Sequence, residues 1–470
     1  MKWDHIIKNG TIVTAAETYK ADIYVKDGKI AAITSENLGD DAVEITDAAG
    51  KYVLPGFIDT HCHSRDGFKG AHYKEDFFHS SSAGAASGIT TIYEMPNCNP
   101  AVYNVDRMND LIECITPKAH TDFGVWGLCL GDLNDEEIPK LAEAGVVGFK
   151  FFWGYAISKE YQLIYNYEEG MKDVIPPLDM GQVYKIFRTV AKTGKMVGIH
   201  AENFDIIKQL TAEVVASGDK SYDAMLRARP PFSETTIIES AISLSRELGT
   251  RLHILHLAAG DGVDLIRNAQ AEGLNVTGET CAQYLALTNV EAAKLGSVVK
   301  GYPPIRTKYD QEKLWNGLMD GTLSFVASDH APHSPEEKAA DIWNAPAGAA
   351  TIETMPLVLI DMVSQGKMTL NKLVQILSEK PAKMYGTYPV KGAMLPGADA
   401  DFVVLDMDKE YTFHQEDMHS RTKMSPYDGW KFKGKPVKTI LRGMTTAENG
   451  EIVGGPKGHF VKAVDNGIVR

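Results

Sequence analysis

The sequence predicts a (β/α)₈ barrel carrying a small β-sandwich domain built from both chain ends. Three features of the 470-residue chain point there. Short apolar runs alternate with helix-length amphipathic stretches through the middle of the chain. Turn-rich alternating segments occupy both ends. Metal-ligand residue types recur at or just beyond the ends of the apolar runs.

The N-terminal fifty residues read as short strands. Asn9-Gly10 inside His5–Val13 and Asp27-Gly28 inside Ile23–Ile30 each carry a hairpin signal. Similar segments return at Ala400–Leu405 and Val437–Gly443, so residues 1–53 and 389–470 are expected to combine into one β-domain. Between them, 54–388 holds eight runs: 54–63, 90–95, 122–129, 146–152, 196–202, 251–257, 275–281 and 323–331. Near-continuous apolar strands separated by helices indicate a parallel sheet buried on both faces. Eight such units fit a barrel, whose active site lies at the C-terminal strand ends. An open doubly wound sheet is the alternative, but no glycine-rich nucleotide loop follows any run.

Composition narrows the function. The chain is 44% hydrophobic and 23% charged, with a formal charge of −14, which gives no electrostatic reason to bind nucleic acid or an anionic membrane. No stretch approaches the roughly 18–20 apolar residues of a membrane helix, and the N-terminus has no signal-peptide core. Five scattered cysteines form no disulfide framework, so a reducing cytoplasm is the expected location.

The chemistry begins at His61-Cys62-His63. Residues two apart on a strand face the same way, so the two imidazoles can grip one ion while Cys62 turns aside. Lys150 sits amid apolar residues in the fourth run, where an unpaired ammonium costs several kcal/mol or loses its proton. His200 lies near the end of the fifth run and His256 near the end of the sixth, while Asp329 and His330 fall at the end of the eighth and His333 just beyond it.

In order along the chain stand Pro55-Gly56-Phe57-Ile58-Asp59 into His61-Cys62-His63, Met95-Pro96-Asn97, Gly148-Phe149-Lys150 and His200-Ala201-Glu202. His256, Glu279-Thr280-Cys281, Pro303-Pro304-Ile305-Arg306 and Ser328-Asp329-His330-Ala331-Pro332 follow. With these pieces the chain resembles the cyclic-amide hydrolases of the amidohydrolase superfamily: dihydroorotases, hydantoinases with dihydropyrimidinases, and allantoinases. The resemblance implies two divalent metal ions, with zinc suggested by the histidine-rich donors. It places His61, His63, Asp329 and a CO₂-carboxylated Lys150 (N6-carboxylysine) around one ion, and Lys150, His200 and His256 around the other. It also implies that Asp329 serves as general base and then general acid. A homodimer or homotetramer acting on a small cyclic ureide is the assembly it suggests.

Substrate signals divide. Arg65, Asn97 and His333 match residue types that hold the substrate carboxylate in dihydroorotases, and a guanidinium suits that task. This reading comes first. Tyr155, five residues after Lys150, matches the oxyanion-stabilising tyrosine of hydantoinases and dihydropyrimidinases, and Gln283 also resembles that branch. That reading comes second. Tyr302 stands where dihydroorotases have asparagine and hydantoinases serine, and Ala347 replaces a hydantoinase asparagine. Trp126-Gly127 resembles allantoinases, the third reading. A non-catalytic scaffold and a deacylase of linear N-acyl amino acids are the readings from other classes. Residues 157–180, rich in tyrosine and acidic side chains, suit a lid or a subunit contact.

Overall fold

A computed structural model describes residues 2–164 and 167–463. Residues 464–470 of the expected C-terminal arm, and Tyr165 and Asn166 within 157–180, lie outside the described residues. The fold is mixed α/β.

The central strands are β1 (Phe57–Cys62), β2 (Ile89–Glu94), β3 (Asp122–Val125 with Gly127–Leu128), β4 (Phe149–Phe152), β5 (Met196–His200), β6 (Arg251–Ile254), β7 (Val276–Cys281) and β8 (Phe325–Ala327). Each pairs in parallel with its neighbours in chain order. β3 changes partner at the fully buried Trp126, whose indole N–H donates to the Thr60 carbonyl at 3.0 Å. Beyond β8, the backbone N–H of His63 donates to the His330 carbonyl at 2.7 Å, and Cys62 and His330 form a parallel bridge. The Asp59 carboxylate reinforces this return to β1 by accepting from the backbone N–H (3.0 Å) and hydroxyl (2.6 Å) of Ser328.

Helices fill the spaces between strands. In α1 (Met180–Thr193), Val183, Ile186, Phe187 and Val190 are buried, the spacing of one helical face. Asp179 caps its start by accepting from the Gln182 N–H, and Gly194, at φ +70°, ends it in the left-handed conformation that glycine adopts without strain.

Of the two terminal sheets, the first is wholly N-terminal and the second combines strands of both chain ends. One has the order Lys29–Thr34, Asp22–Lys26, Trp3–Lys8, Ala42–Asp47. A seven-stranded sheet sets the C-terminal Phe402–Thr412 against the N-terminal Tyr52–Pro55. Ile7, Ile23 and Val25 of the first sheet and Val53, Phe402 and Ile440 of the second are buried in one apolar cluster.

Two local expectations need correction. Asp27-Gly28 does join an antiparallel hairpin, but Asn9-Gly10 does not. Trp3–Lys8 and Thr11–Val13 belong to different sheets, so that turn carries the chain from one layer to the other. A Cβ on Gly10 would lie 2.7 Å from the Val53 side chain, so glycine is required there for packing. The 54–63 run is likewise two strands. Tyr52–Pro55 joins the seven-stranded sheet and β1 joins β2, the break falling at Gly56, where a Cβ would lie 2.1 Å from the Thr90 hydroxyl.

Residues 157–180 contribute a small antiparallel sheet in which Ala156–Ser158 pairs with Leu163–Ile164 and Val174–Ile175. Among the described residues, no helix is long and apolar enough to cross a membrane.

The terminal strands are fastened to β3 by buried charge. Lys391 Nζ lies 2.8 Å from both Asp399 and Asp401 and also pairs with Asp122, the first residue of β3. Removing one partner of a buried ion cluster strands the others. Lys391→Met is therefore expected to cost about 3–5 kcal/mol. The measurement is the denaturant midpoint of unfolding; an unchanged midpoint would contradict a fastening role.

Candidate metal centre and active site

The strand ends bring one set of lone pairs together. His61 lies on β1 with its neighbour Cys62 in the apolar core, and His63 follows just past the strand. His61 Nε2 is 3.3 Å and His63 Nε2 3.5 Å from Asp329 Oδ1. His200 Nδ1 lies 3.2 Å from His256 Nε2, and the His61 and His256 ring centroids are 5.3 Å apart. Two donors each about 2.0–2.1 Å from a tetrahedral ion are separated by about 3.3 Å. Both sets therefore have the spacing of donors that fit around one cation.

The polar atoms left over fit the same reading. Lys150, on β4 between Leu128 of β3 and Gly198 of β5, is fully buried. Its Nζ has no hydrogen-bond partner and rests 4.5 Å from the centroid of the Phe152 ring. Burial lowers its pKa to about 8, with the Asp329 charge opposing the fall. His61 Nε2 is also without a hydrogen bond. Burial lowers the pKa of all four histidines, leaving neutral imidazoles, the form that ligates metals. Burial pushes the Asp329 carboxyl up, but the surrounding His63, His256 and Lys150 outweigh it and hold the group below its ordinary value. His256 and Asp329 adopt φ of +38° and +48°, strained values for non-glycine residues of the kind that cluster at functional sites.

Acceptors behind the ligands fix which nitrogen faces inward. His61 Nδ1 contacts Glu279 at 2.8 Å, His63 Nδ1 contacts the Asn97 side-chain oxygen at 2.7 Å, and His200 Nε2 contacts Glu202 at 3.0 Å. Such partners set tautomer and ring orientation in metal sites. Glu202 is held by Arg229 at 2.5 Å, which with other buried charges lowers its pKa to about 2 against the effect of burial. Sequence reasoning named Glu279 and Glu202 only as parts of motifs. The available signal for Glu202 was its position two residues after His200, the same spacing that singled out His61 and His63.

The remaining candidates fall at different places. Tyr155 places its hydroxyl 3.2 Å from His200 Nε2 and lines the cavity beside the ligand set. Of Arg65, Asn97 and His333, only Arg65 lines that cavity. Asn97 is engaged with His63, as above. Burial, then the charges of Arg65 and Lys74, push the pKa of His333 down to about 2, so its ring is neutral. Lys74 Nζ lies 3.1 Å from its Nδ1, leaving the Nε2–H to the Ala347 carbonyl at 3.0 Å. Arg65 Nη2 approaches the same ring at 3.2 Å, while its Nε has no hydrogen-bond partner.

Known proteins place the chain in the same context. The amidohydrolase family profile matches residues 52–453. An L-hydantoinase of Paenarthrobacter aurescens is 36% identical over 455 residues, covering 96% of each chain. An allantoinase of Desulfitobacterium hafniense (strain DSM 10664 / DCB-2) is 34% identical over 462 residues, covering 98% of this chain and 99% of its own. The solved structure of an L-hydantoinase (dihydropyrimidinase) from Arthrobacter aurescens superposes with a TM-score of 0.91 at 35% identity, over 98% of this chain and 100% of the other. The chain is a member of the amidohydrolase family and belongs to its branch of hydrolases acting on cyclic amides.

Proposed function

We propose that the chain hydrolyses a ring amide of a hydantoin-type cyclic ureide. The observation that carries this reading is the convergence of three neutral imidazoles (His63, His200 and His256), Asp329 and the partnerless amine of Lys150 on one cavity, with His61 buried just behind against Asp329. The comparisons favour hydantoinase over the dihydroorotase-like reading, reversing the order expected from sequence. The side chains agree with that reversal, because two members of the carboxylate-holding trio, Asn97 and His333, are engaged elsewhere. The proposed frame is a (β/α)₈ barrel over 54–388 with a β-sandwich domain from 1–53 and 389–470.

Two divalent ions, zinc by donor type, would be held by His61, His63 and Asp329 and by His200 and His256, with carboxylated Lys150 between them. When bound, such ions acidify water and polarise a carbonyl. The chain's own residues supply the rest. The lowered pKa of Lys150 leaves neutral amine available near pH 8. That amine forms an N–C bond to CO₂ and releases a proton, converting a buried base into a carboxylate ligand. Asp329 takes the proton of the attacking water and returns it to the departing ring nitrogen. The Tyr155 hydroxyl stabilises the oxyanion. Arg65 faces the ring's polar edge with donors to spare.

The test is ring opening by the metal-loaded protein on hydantoin, dihydrouracil, allantoin and dihydroorotate. Turnover of hydantoin above dihydroorotate is expected. Preference for dihydroorotate would restore the carboxylate reading, and turnover of none would refute ring hydrolysis.

Removing the acceptor behind His61 tests the metal reading separately. Glu279→Gln is expected to weaken metal binding about 10–100-fold, read by metal retained against a competing chelator. Unchanged retention would leave Glu279 a structural residue.

A further inference from the structure

The cavity at the ligand set is small, about 60 Å³, and a second cavity of about 390 Å³ lies beside it. Tyr155 and Tyr302 line both. The larger space is walled mainly by apolar side chains, among them Phe204, Ile207, Met225 and Trp343.

Tyr302 is held in place from two sides. The Arg229 guanidinium lies 3.3 Å from the centroid of its ring. Arg229 is itself fixed by Glu202, which accepts from His200 on the opposite side. Lys300 Nζ sits 5.5 Å from the ring centroid and is bound to the carbonyls of Ile342 and Ala345, both at 2.5 Å. A candidate metal ligand, a buried carboxylate and two cations thus set the position of one aromatic ring. The close Arg229 cation–π contact resists displacement, and more so where solvent is excluded.

We propose that Tyr302 is a specificity-determining wall that separates the two cavities and restricts the enzyme to rings bearing compact substituents. This rests on the cyclic-ureide reading above. A cavity of about 150 Å³ is the scale that accommodates a benzene ring. The space at the ligand set falls below that, whereas the neighbouring cavity exceeds it. Loss of the Tyr302 ring would join the two and admit an aromatic substituent between Tyr155 and Arg229.

The experiment compares kcat/KM for hydantoin and 5-benzylhydantoin, alongside the Kd of 5-benzylhydantoin by calorimetry, all on the metal-loaded enzyme. The wild type is expected to favour hydantoin. Tyr302→Ala should raise the benzyl-to-plain ratio and tighten benzylhydantoin binding by tenfold or more, the scale of a hydrophobic pocket contact. Tyr302→Phe keeps the ring and should leave both within twofold. Adding Ile207→Trp to Tyr302→Ala refills the neighbouring cavity and should cancel the gain. Tyr302→Val puts the same question should the alanine variant fail to fold.

A wild type that prefers the benzyl ring would overturn the proposal. So would an alanine or valine variant with unchanged ratio and affinity, or a phenylalanine variant that gains as much as alanine. Tighter benzylhydantoin binding in Tyr302→Ala without turnover of any ring would uphold the wall and refute the ring-opening reading instead.

Discussion

The site is organised around a constraint that a folded protein does not tolerate without compensation: the amine of Lys150, wholly buried on a central strand with no hydrogen-bond partner. Leucine at this position would remove the desolvation cost. Keeping lysine makes chemical sense when the amine is converted to something else, and its surroundings suit that conversion. Burial favours the neutral, nucleophilic form, and His63, His200, His256 and Asp329 line the same cavity as that amine. On the proposed reading, carboxylation turns that buried liability into a metal ligand.

Orientation around it depends on groups that never touch the central space. Glu279, Glu202 and the Asn97 side chain each occupy the outward nitrogen of a histidine, so the inward lone pairs follow from packing rather than chance. Glu202 extends this control outward through Arg229 to the ring of Tyr302, so the ligand frame and the wall of the substrate space share one ionic support. The strained backbone at His256 and Asp329 belongs to the same arrangement, since the strand ends turn sharply to aim these side chains.

Much of this was legible in the chain because it follows short periodicities. The i, i+2 spacing of His61 and His63 and the apolar runs ending in histidine or aspartate depend only on strand geometry. The eight-unit pattern matches the chain-order parallel pairing, and Asp27-Gly28 forms its hairpin. What escaped depends on contacts between distant segments. Asn9-Gly10 has the composition of a hairpin, yet close packing of Gly10 against Val53, and a second sheet assembled from both chain ends, send its flanking strands to different partners. Gly56 reads as part of one apolar run, and only the approach of Thr90 reveals a break there. Asn97 and His333 carried the residue types of a carboxylate clamp, but which hydrogen bonds they make is decided by His63, Lys74 and Ala347, far away in sequence.

The most direct test of the account is carbon NMR of the metal-loaded protein equilibrated with ¹³C-bicarbonate. A single protected carbamate resonance, absent from Lys150→Ala, is the predicted result. A fully active, metal-replete protein without that resonance would contradict the central role given to the buried amine.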